Sequence, residues 1–98
     1  NSNNSFIGKI TSLTIDGNTN SECNINSLPS NINNLTQLKT LDLSNNQLAN
    51  LPSEIADLNN LQYLNLSGNN FTIFPQELCN INNLNLIIDN FDYSAECE

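Results

Sequence analysis

The stretch LDLSNNQLANLP at Leu41–Pro52 is followed by LNLSGNNFTIFP at Leu64–Pro75, with leucine, asparagine and proline in the same order. Equivalent residues of the two stretches are 23 positions apart. A fixed period of about 20 to 29 residues is typical of repeat proteins, in which each unit buries its apolar side against a stacked neighbour. The two stretches therefore predict a stack of similar coils.

The same period extends upstream of this pair. The upstream residues that keep the offset of 23 are Ile25, Leu28, Pro29 and Ile32. A further partial copy consists of Ile7, Ile10, Leu13, Ile15 and Asn18. Five extra residues separate that copy from the next, within NTNSEC at residues 18–23. We therefore expect about four coils in one domain, which exceeds the minimum of about three that a stable stack needs.

The residue types within a unit predict a short strand followed by a turn. Leu41 and Leu43 fall on one face of that strand, because strand side chains alternate between faces. Asn46, three residues after Leu43, is expected to turn the chain, and its amide can satisfy backbone groups of its own coil and of the adjacent one. The asparagines expected to form this ladder are Asn18, Asn46 and Asn69.

The segment after the turn is expected to return along the outer side of the stack. Its prolines, Pro29, Pro52 and Pro75, fix φ at the start of a turn or short helix. Ser30 or Ser53 can cap that helix. The residues that this leg should bury are Ile32, Ile55 and Leu78.

The period fails near the C-terminus, where Asp89 falls at the position that Leu66 predicts to be apolar. A shift of one residue places Leu86 and Ile88 inward, and we favour that register. The alternative is an ordinary edge strand and tail, although a terminal unit is expected to be atypical because its outer side meets water. The residues expected to cover the two ends of the stack are Phe6, Phe91 and Tyr93.

LTQLKTLDLSNNQLANLPSEI and LNNLQYLNLSGNNFTIFPQEL resemble leucine-rich repeats, and the resemblance extends over roughly residues 7–90. The LPxxI form resembles intracellular signalling scaffolds that bind Ras-like GTPases. KITSLTIDGNTNSECNINSLPSNINNLTQL instead resembles the start of secreted or receptor-type repeat domains of plants and fungi. The resemblance implies an α/β fold: a short right-handed solenoid with a parallel sheet on its concave face, turns, 3-10 or short helices on its convex face, and capped ends. It also implies that the domain is used mainly to bind proteins.

We expect a single domain at residues 1–98. Residues 1–24 would form an N-terminal cap with the irregular first coil, residues 25–83 the regular repeats and residues 84–98 a C-terminal cap. The sequence has no initiating Met, signal peptide or apolar run long enough to enter a membrane, so we expect a mature protein or an excised module. It would be a monomer or a module of a larger chain.

The net charge limits the partners. Ten acidic residues against Lys9 and Lys39 give a formal charge of −8, which argues against binding nucleic acid or an anionic membrane surface through a basic patch. A basic protein partner is compatible with this charge. The acids are scattered along the chain, so an ordinary solvated surface would also account for them.

The three cysteines are Cys23, Cys79 and Cys97. Cys79 stands where Ala56 stands in the previous coil, and Cys97 follows the last coil, so a Cys79–Cys97 disulfide would attach the C-terminal cap. Cys23 would then be unpaired or bonded outside this chain. We expect an extracellular protein, secreted or at the cell surface. The alternative is three reduced cysteines in a cytoplasmic scaffold.

Four asparagines, Asn3, Asn34, Asn65 and Asn70, begin N-x-S/T sequons. A chain this rich in asparagine contains about four by chance, so their number does not argue for secretion. A glycan on Asn65 would block the predicted sheet face.

Catalysis is not expected. The chain has no histidine, which excludes histidine-based triads and most zinc sites, and its three glycines form no phosphate-binding loop. Asp89 and Asp92 could serve as paired carboxylates only in a deep cleft, which about four coils do not offer. We therefore predict no enzyme activity, no cofactor and no metal.

The remaining candidate is a binding surface on the outward-facing strand positions. The predicted partner-binding residues are Thr14, Asp16, Thr40, Asp42, Tyr63, Asn65, Ile87 and Asp89, with Ser12, Ser44 and Ser67 on the same face. Tyr63 is the expected anchor, because tyrosine offers a large contact area at little cost in rotamer entropy. The favoured partner is a protein. The alternatives are a carbohydrate, or a structural spacer or dimerisation unit with Ile73 or Cys23 as the self-contact.

Overall fold

The structure is a computed structural model that describes residues 8–17 and 24–97. Over these residues four short parallel strands form one sheet, and their spatial order is their order in the chain. The strands are β1 (Ser12–Thr14), β2 (Thr40–Asp42), β3 (Tyr63–Asn65) and β4 (Asn85–Ile87). Each coil thus adds one strand beside the previous one, and the result is the short α/β solenoid that the repeat predicts.

The return legs are 3-10 helices on the side opposite the sheet. They span Ser30–Asn34, Ser53–Asp57 and Gln76–Asn80. The preceding prolines have φ angles of −72°, −68° and −73°, and each of these helices buries its predicted apolar residue. The predicted capping by Ser30 or Ser53 is wrong. Proline itself occupies the N-cap position, which leaves no side-chain acceptor there, and the serine falls one residue inside the helix.

The core lies between the sheet and the return legs. Leu41 and Leu64, at the centres of β2 and β3, are fully buried, and so are Ile55 and Leu78 on the opposite side. In β1 and β4 the equivalent residues, Leu13 and Leu86, are partly buried against this core. The middle coils therefore hold most of the apolar burial, as expected where each coil is covered by neighbours on both sides.

The predicted asparagine ladder is present at Asn46. Its Nδ2 group donates to the carbonyls of Ile15 (2.7 Å), Leu43 (2.9 Å) and Ser44 (3.1 Å). Its Oδ1 atom accepts from the backbone N–H of Ile25 at 3.0 Å. One side chain therefore satisfies its own turn and two segments of the preceding coil, as the sequence predicted.

Asn69 repeats this arrangement one coil later. Its Nδ2 group donates to the carbonyls of Leu43 (2.9 Å) and Leu66 (3.0 Å), and its Oδ1 atom accepts from the N–H of Leu48 at 3.0 Å. Asn18, the third predicted member, lies outside the described residues.

The last strand is in the shifted register. Leu64 pairs with Leu86 and Asn65 with Ile87, an offset of 22 in place of 23. Leu86 and Ile88 pack against the core, which confirms the prediction made from their apolar pattern.

The chain then covers the last coil with aromatic side chains. The ring of Phe74 lies 5.7 Å from that of Phe91 in an edge contact and 6.1 Å from that of Tyr93 in a stacked one. The Tyr93 hydroxyl donates to the carbonyl of Leu78 at 3.3 Å. The predicted covering of this end is confirmed. Phe6, predicted to cover the other end, lies outside the described residues.

A short helix, α1 (Tyr93–Glu96), ends the described chain. Asp92 caps it, because its Oδ1 atom accepts from the backbone N–H of Ser94 at 3.1 Å and from the Ser94 hydroxyl at 2.8 Å. The hydrogen bond from that hydroxyl is the main cause that lowers the pKa of Asp92. The cap is therefore strongest with the carboxyl group ionised.

Cys79 and Cys97 lie side by side, with Cα atoms 5.3 Å apart and sulfur atoms at bonding distance. This separation lies within the range that disulfides require and supports the proposed bridge between the last return leg and α1. Cys23 lies outside the described residues.

Candidate functional site

The strand pairing brings the predicted outward-facing residues into two rows. The first row is Ser12, Thr40, Tyr63 and Asn85, and the second is Thr14, Asp42, Asn65 and Ile87. We call these eight residues the sheet face. They flank the inward leucine of each strand and are half-buried or exposed, so they form the concave surface of the solenoid. Thr14, Thr40, Asp42, Tyr63, Asn65 and Ile87 are thus brought together as predicted.

Hydrogen bonds orient two polar side chains of the second row. Asp42 Oδ1 accepts from the backbone N–H of Ser44 at 3.0 Å and from its hydroxyl at 2.7 Å. Asn65 Oδ1 accepts from Ser67 with the same two distances. Each pair closes a turn in which a short polar side chain binds its own backbone two residues on. Asp42 and Asn65 thus have one oxygen committed and a fixed orientation.

Ser44 was predicted to lie on the outward surface, and this prediction is wrong. Its side chain is only 5% exposed, since the turn with Asp42 folds it back against the chain. Alternation along a strand predicts an outward serine, but β2 ends at Asp42 and the alternation ends with it. The repeated pattern of Asp or Asn, any residue, then Ser was the signal that could have indicated this turn.

Asp16 and Asp89 lie beyond the carboxyl ends of β1 and β4. Asp16 Oδ1 accepts from Asn45 Nδ2 at 3.2 Å, and Asp89 Oδ2 accepts from the backbone N–H of Gly68 at 2.7 Å. Asn45 and Gly68 occupy equivalent turn positions, with φ of 61° and 71°. These predicted binding residues therefore also connect neighbouring coils, a role that the sequence did not indicate.

Tyr63 and Ile87 form the apolar part of the sheet face. Tyr63 pairs with Asn85, and Ile87 is two residues further along the same neighbouring strand, so the two side chains are diagonal neighbours on one face. Ile87 is 41% exposed and Tyr63 is half-buried. The carboxylate of Asp42 lies in the same row as Ile87. An apolar pair thus lies beside an acidic group.

A second feature lies away from the sheet face. A shallow depression of about 360 Å³ is lined by nine residues of two successive loops and of the last return leg, among them Leu51, Ile73 and Pro75. Ile73 is 78% exposed. The sequence indicated Ile73 only as a possible self-contact, and it could not indicate the depression, because the walls come from two different coils.

No group of three or more histidine, cysteine, aspartate or glutamate side chains in residues 8–17 and 24–97 could hold a metal ion. None of the helices in that part of the chain is long and apolar enough to cross a membrane.

The family model for the leucine-rich repeat region matches residues 7–95. The chain belongs to the leucine-rich repeat family. Members of this family are generally non-catalytic repeat modules that mediate protein interactions, and the solenoid described above fits that general role.

Among solved structures, the chain is similar to a leucine-rich repeat protein of Leptospira interrogans, with 41% sequence identity and a TM-score of 0.61. The match covers 65% of this chain and 16% of that protein's chain. The chain thus spans a small part of that protein's length. The sequence matches no curated protein.

Proposed function

We propose that the chain is a non-catalytic protein-interaction module that binds a protein partner through the sheet face. The observation that supports this most directly is the pair of Tyr63 and Ile87 on one face, diagonal to each other across β3 and β4. Partly exposed aromatic and aliphatic side chains at the centre of a surface are typical anchors of protein interfaces. The hydrogen bonds that hold Asp42 and Asn65 reduce the entropy lost when a partner binds.

The charges beside this pair favour a partner with a basic side chain. Asp42 lies in the row of Ile87, and Asp89 follows Ile87 by two residues. A charged pair at the rim of an interface changes association rate and specificity more than affinity, so Tyr63 would supply more of the binding energy than the acids. With a net charge of −8 we propose no nucleic-acid partner. We also propose no membrane insertion, because the sequence contains no apolar run long enough to enter a membrane.

We further propose an extracellular location, secreted or at the cell surface, as a monomer or as a module of a larger chain. The adjacent positions of Cys79 and Cys97 support it, because disulfides persist in oxidising compartments. Labelling of free thiols in freshly isolated protein tests this. If Cys79 and Cys97 are both labelled without reductant, the cytoplasmic alternative is favoured.

The binding face is tested by capture of partners from extracellular and cytosolic fractions of the source organism. Tyr63→Ala removes the anchor. Asp42→Asn removes the charge and keeps the acceptor for Ser44, since Asn65 plays that part in the next coil. Ile73→Ala is the control, because it removes an exposed apolar side chain in the depression away from the sheet face.

We expect the native form and the control variant to retain the same protein and the Tyr63→Ala variant to lose it. The Asp42→Asn variant should bind more weakly, and its binding should depend less on salt. Equal retention by all four forms would contradict a site on the sheet face. Retention of carbohydrate alone would favour a glycan-binding module.

A further inference from the structure

We propose that Asn34 and Asn70 are acceptors for N-linked glycans when the chain passes through a eukaryotic secretory pathway, and that Asn65 stays unmodified. This rests on the proposed extracellular location and leaves the sheet face open for the proposed partner. The number of sequons has no weight here, since the composition alone accounts for it. The argument depends on where the structure places Asn34, Asn65 and Asn70, whereas Asn3 lies outside the described residues.

Asn34 is the last residue of the 3-10 helix Ser30–Asn34, on the outer side of the solenoid. Its side chain and that of Thr36 are both exposed. The carbonyl of Thr36 accepts from Asn60 Nδ2 at 2.9 Å, which attaches the sequon backbone to the next coil. A glycan on Asn34 would therefore extend into solvent from a fixed point, away from the strands.

Asn70 lies in the loop after β3. Its backbone N–H donates to the carbonyl of Leu48 at 2.8 Å, and the following Phe71 is only 8% exposed, so the backbone of the sequon is anchored. The side chains of Asn70 and Thr72 are exposed on either side of that anchor. A glycan at Asn70 displaces no core residue.

Asn65 is placed differently. It is the last residue of β3, paired with Asp42 on one side and Ile87 on the other. Its Oδ1 atom already accepts from the N–H and the hydroxyl of Ser67, the third residue of its sequon. The two side chains that define this sequon, Asn65 and Ser67, are thus bonded to each other, whereas the asparagine and threonine side chains of the other two sequons are exposed, so Asn65 is the least accessible of the three acceptors. A glycan there would cover Tyr63.

The transfer needs a co-reactant of one class, a lipid-pyrophosphate-linked oligosaccharide. The asparagine Nδ2 atom forms a bond to the sugar C1 atom and releases one proton. The bond between C1 and the pyrophosphate oxygen breaks, and its electron pair leaves with the lipid pyrophosphate. Nothing is oxidised or reduced.

The test is to secrete the full chain from eukaryotic cells and release glycans with a peptide N-glycosidase in ¹⁸O-labelled water. Each glycosylated asparagine becomes an ¹⁸O-labelled aspartate, which peptide mass spectrometry locates. Incubation without the enzyme corrects for spontaneous deamidation. Thr36→Ala and Thr72→Ala are matched variants, because each destroys one sequon and leaves its asparagine in place.

We expect label at Asn34 and Asn70, none at Asn65, and loss of label in each threonine variant at its own site only. An unlabelled Asn34 or Asn70, or a labelled Asn65 in the secreted protein, would overturn the proposal. The double variant Thr36→Ala, Thr72→Ala should keep partner capture. Absent glycosylation with intact capture therefore refutes this inference alone, whereas intact glycosylation without capture refutes the proposed binding function alone.

Discussion

Replacement of Asn46 by alanine should cost a large part of the stability of the domain. The side chain is 5% exposed, and the alanine methyl group can replace none of its hydrogen bonds. The carbonyls of Ile15, Leu43 and Ser44 share its two amide protons, and the N–H of Ile25 loses its acceptor. These groups belong to two coils, so the loss also weakens the contact between them.

The magnitude follows from the number of bonds that the side chain can make at once. Two amide protons and one accepted hydrogen bond give three, each worth a net of about 1 kcal/mol in folding. The variant should therefore lose about 3 kcal/mol of unfolding free energy. For a domain of this size, a loss of about 1 kcal/mol lowers Tm by about 4–8 °C, so Tm should fall by about 12–24 °C.

Urea unfolding followed by circular dichroism measures this, with Asn70→Ala as the control. The Asn70 side chain is exposed, and its removal should change the unfolding free energy by less than about 0.5 kcal/mol. A third variant, Asn46→Asp, keeps an oxygen for the N–H of Ile25 but loses both amide protons, so it should also be strongly destabilised. If Asn46→Ala costs less than about 1 kcal/mol, or no more than the control, the asparagine ladder does not hold the coils together.

Three further outcomes are expected. Ile55→Ala, in the fully buried centre of a return leg, should lower the unfolding free energy by about 2–5 kcal/mol in chemical denaturation. The control Ile73→Ala, at an exposed position, should lower it by less than about 0.5 kcal/mol. Equal effects would contradict the described core. Reduction of the proposed Cys79–Cys97 disulfide, which spans 18 residues, should lower the unfolding free energy by about 3 kcal/mol. Denaturation with and without reductant measures this, and an unchanged midpoint would argue against the bridge. The Ser94 hydroxyl lowers the pKa of Asp92, so the cap contributes fully to stability above the unfolded pKa of about 4, and this contribution is lost as pH falls through the folded pKa. Carboxyl titration by NMR should show the lowered pKa of Asp92. An ordinary pKa would contradict the cap.

The parts of the fold set by residue type at fixed spacing were predictable. Asn46 and Asn69 follow Leu43 and Leu66 by three residues, and only a side chain with both donors and an acceptor can serve the backbone on two sides. The register of β4 was also predictable, because a one-residue shift would move Leu86 and Ile88 out of the core.

Other features depend on contacts that a repeat pattern does not contain. The burial of Ser44 follows from where β2 ends, and strand alternation does not fix that residue. Asp89 also connects two coils, and only the structure reveals this, through the hydrogen bond between its carboxylate and the N–H of Gly68, a residue of the previous coil. The sheet face could thus be identified from the sequence as a set of positions, but not the bonds that hold its acidic side chains.

The asparagine ladder also sets the unit in which such a chain can change length during evolution. Asn46 and Asn69 each serve the coil that precedes them, and the span from strand leucine to asparagine is the same in both. Duplication of one complete repeat recreates every junction, because each new asparagine meets an identical neighbour. Insertion or deletion within that short span would break the bonds on both sides at once. Selection should therefore accept whole copies or altered connecting loops, and the gene should grow and shrink by repeats.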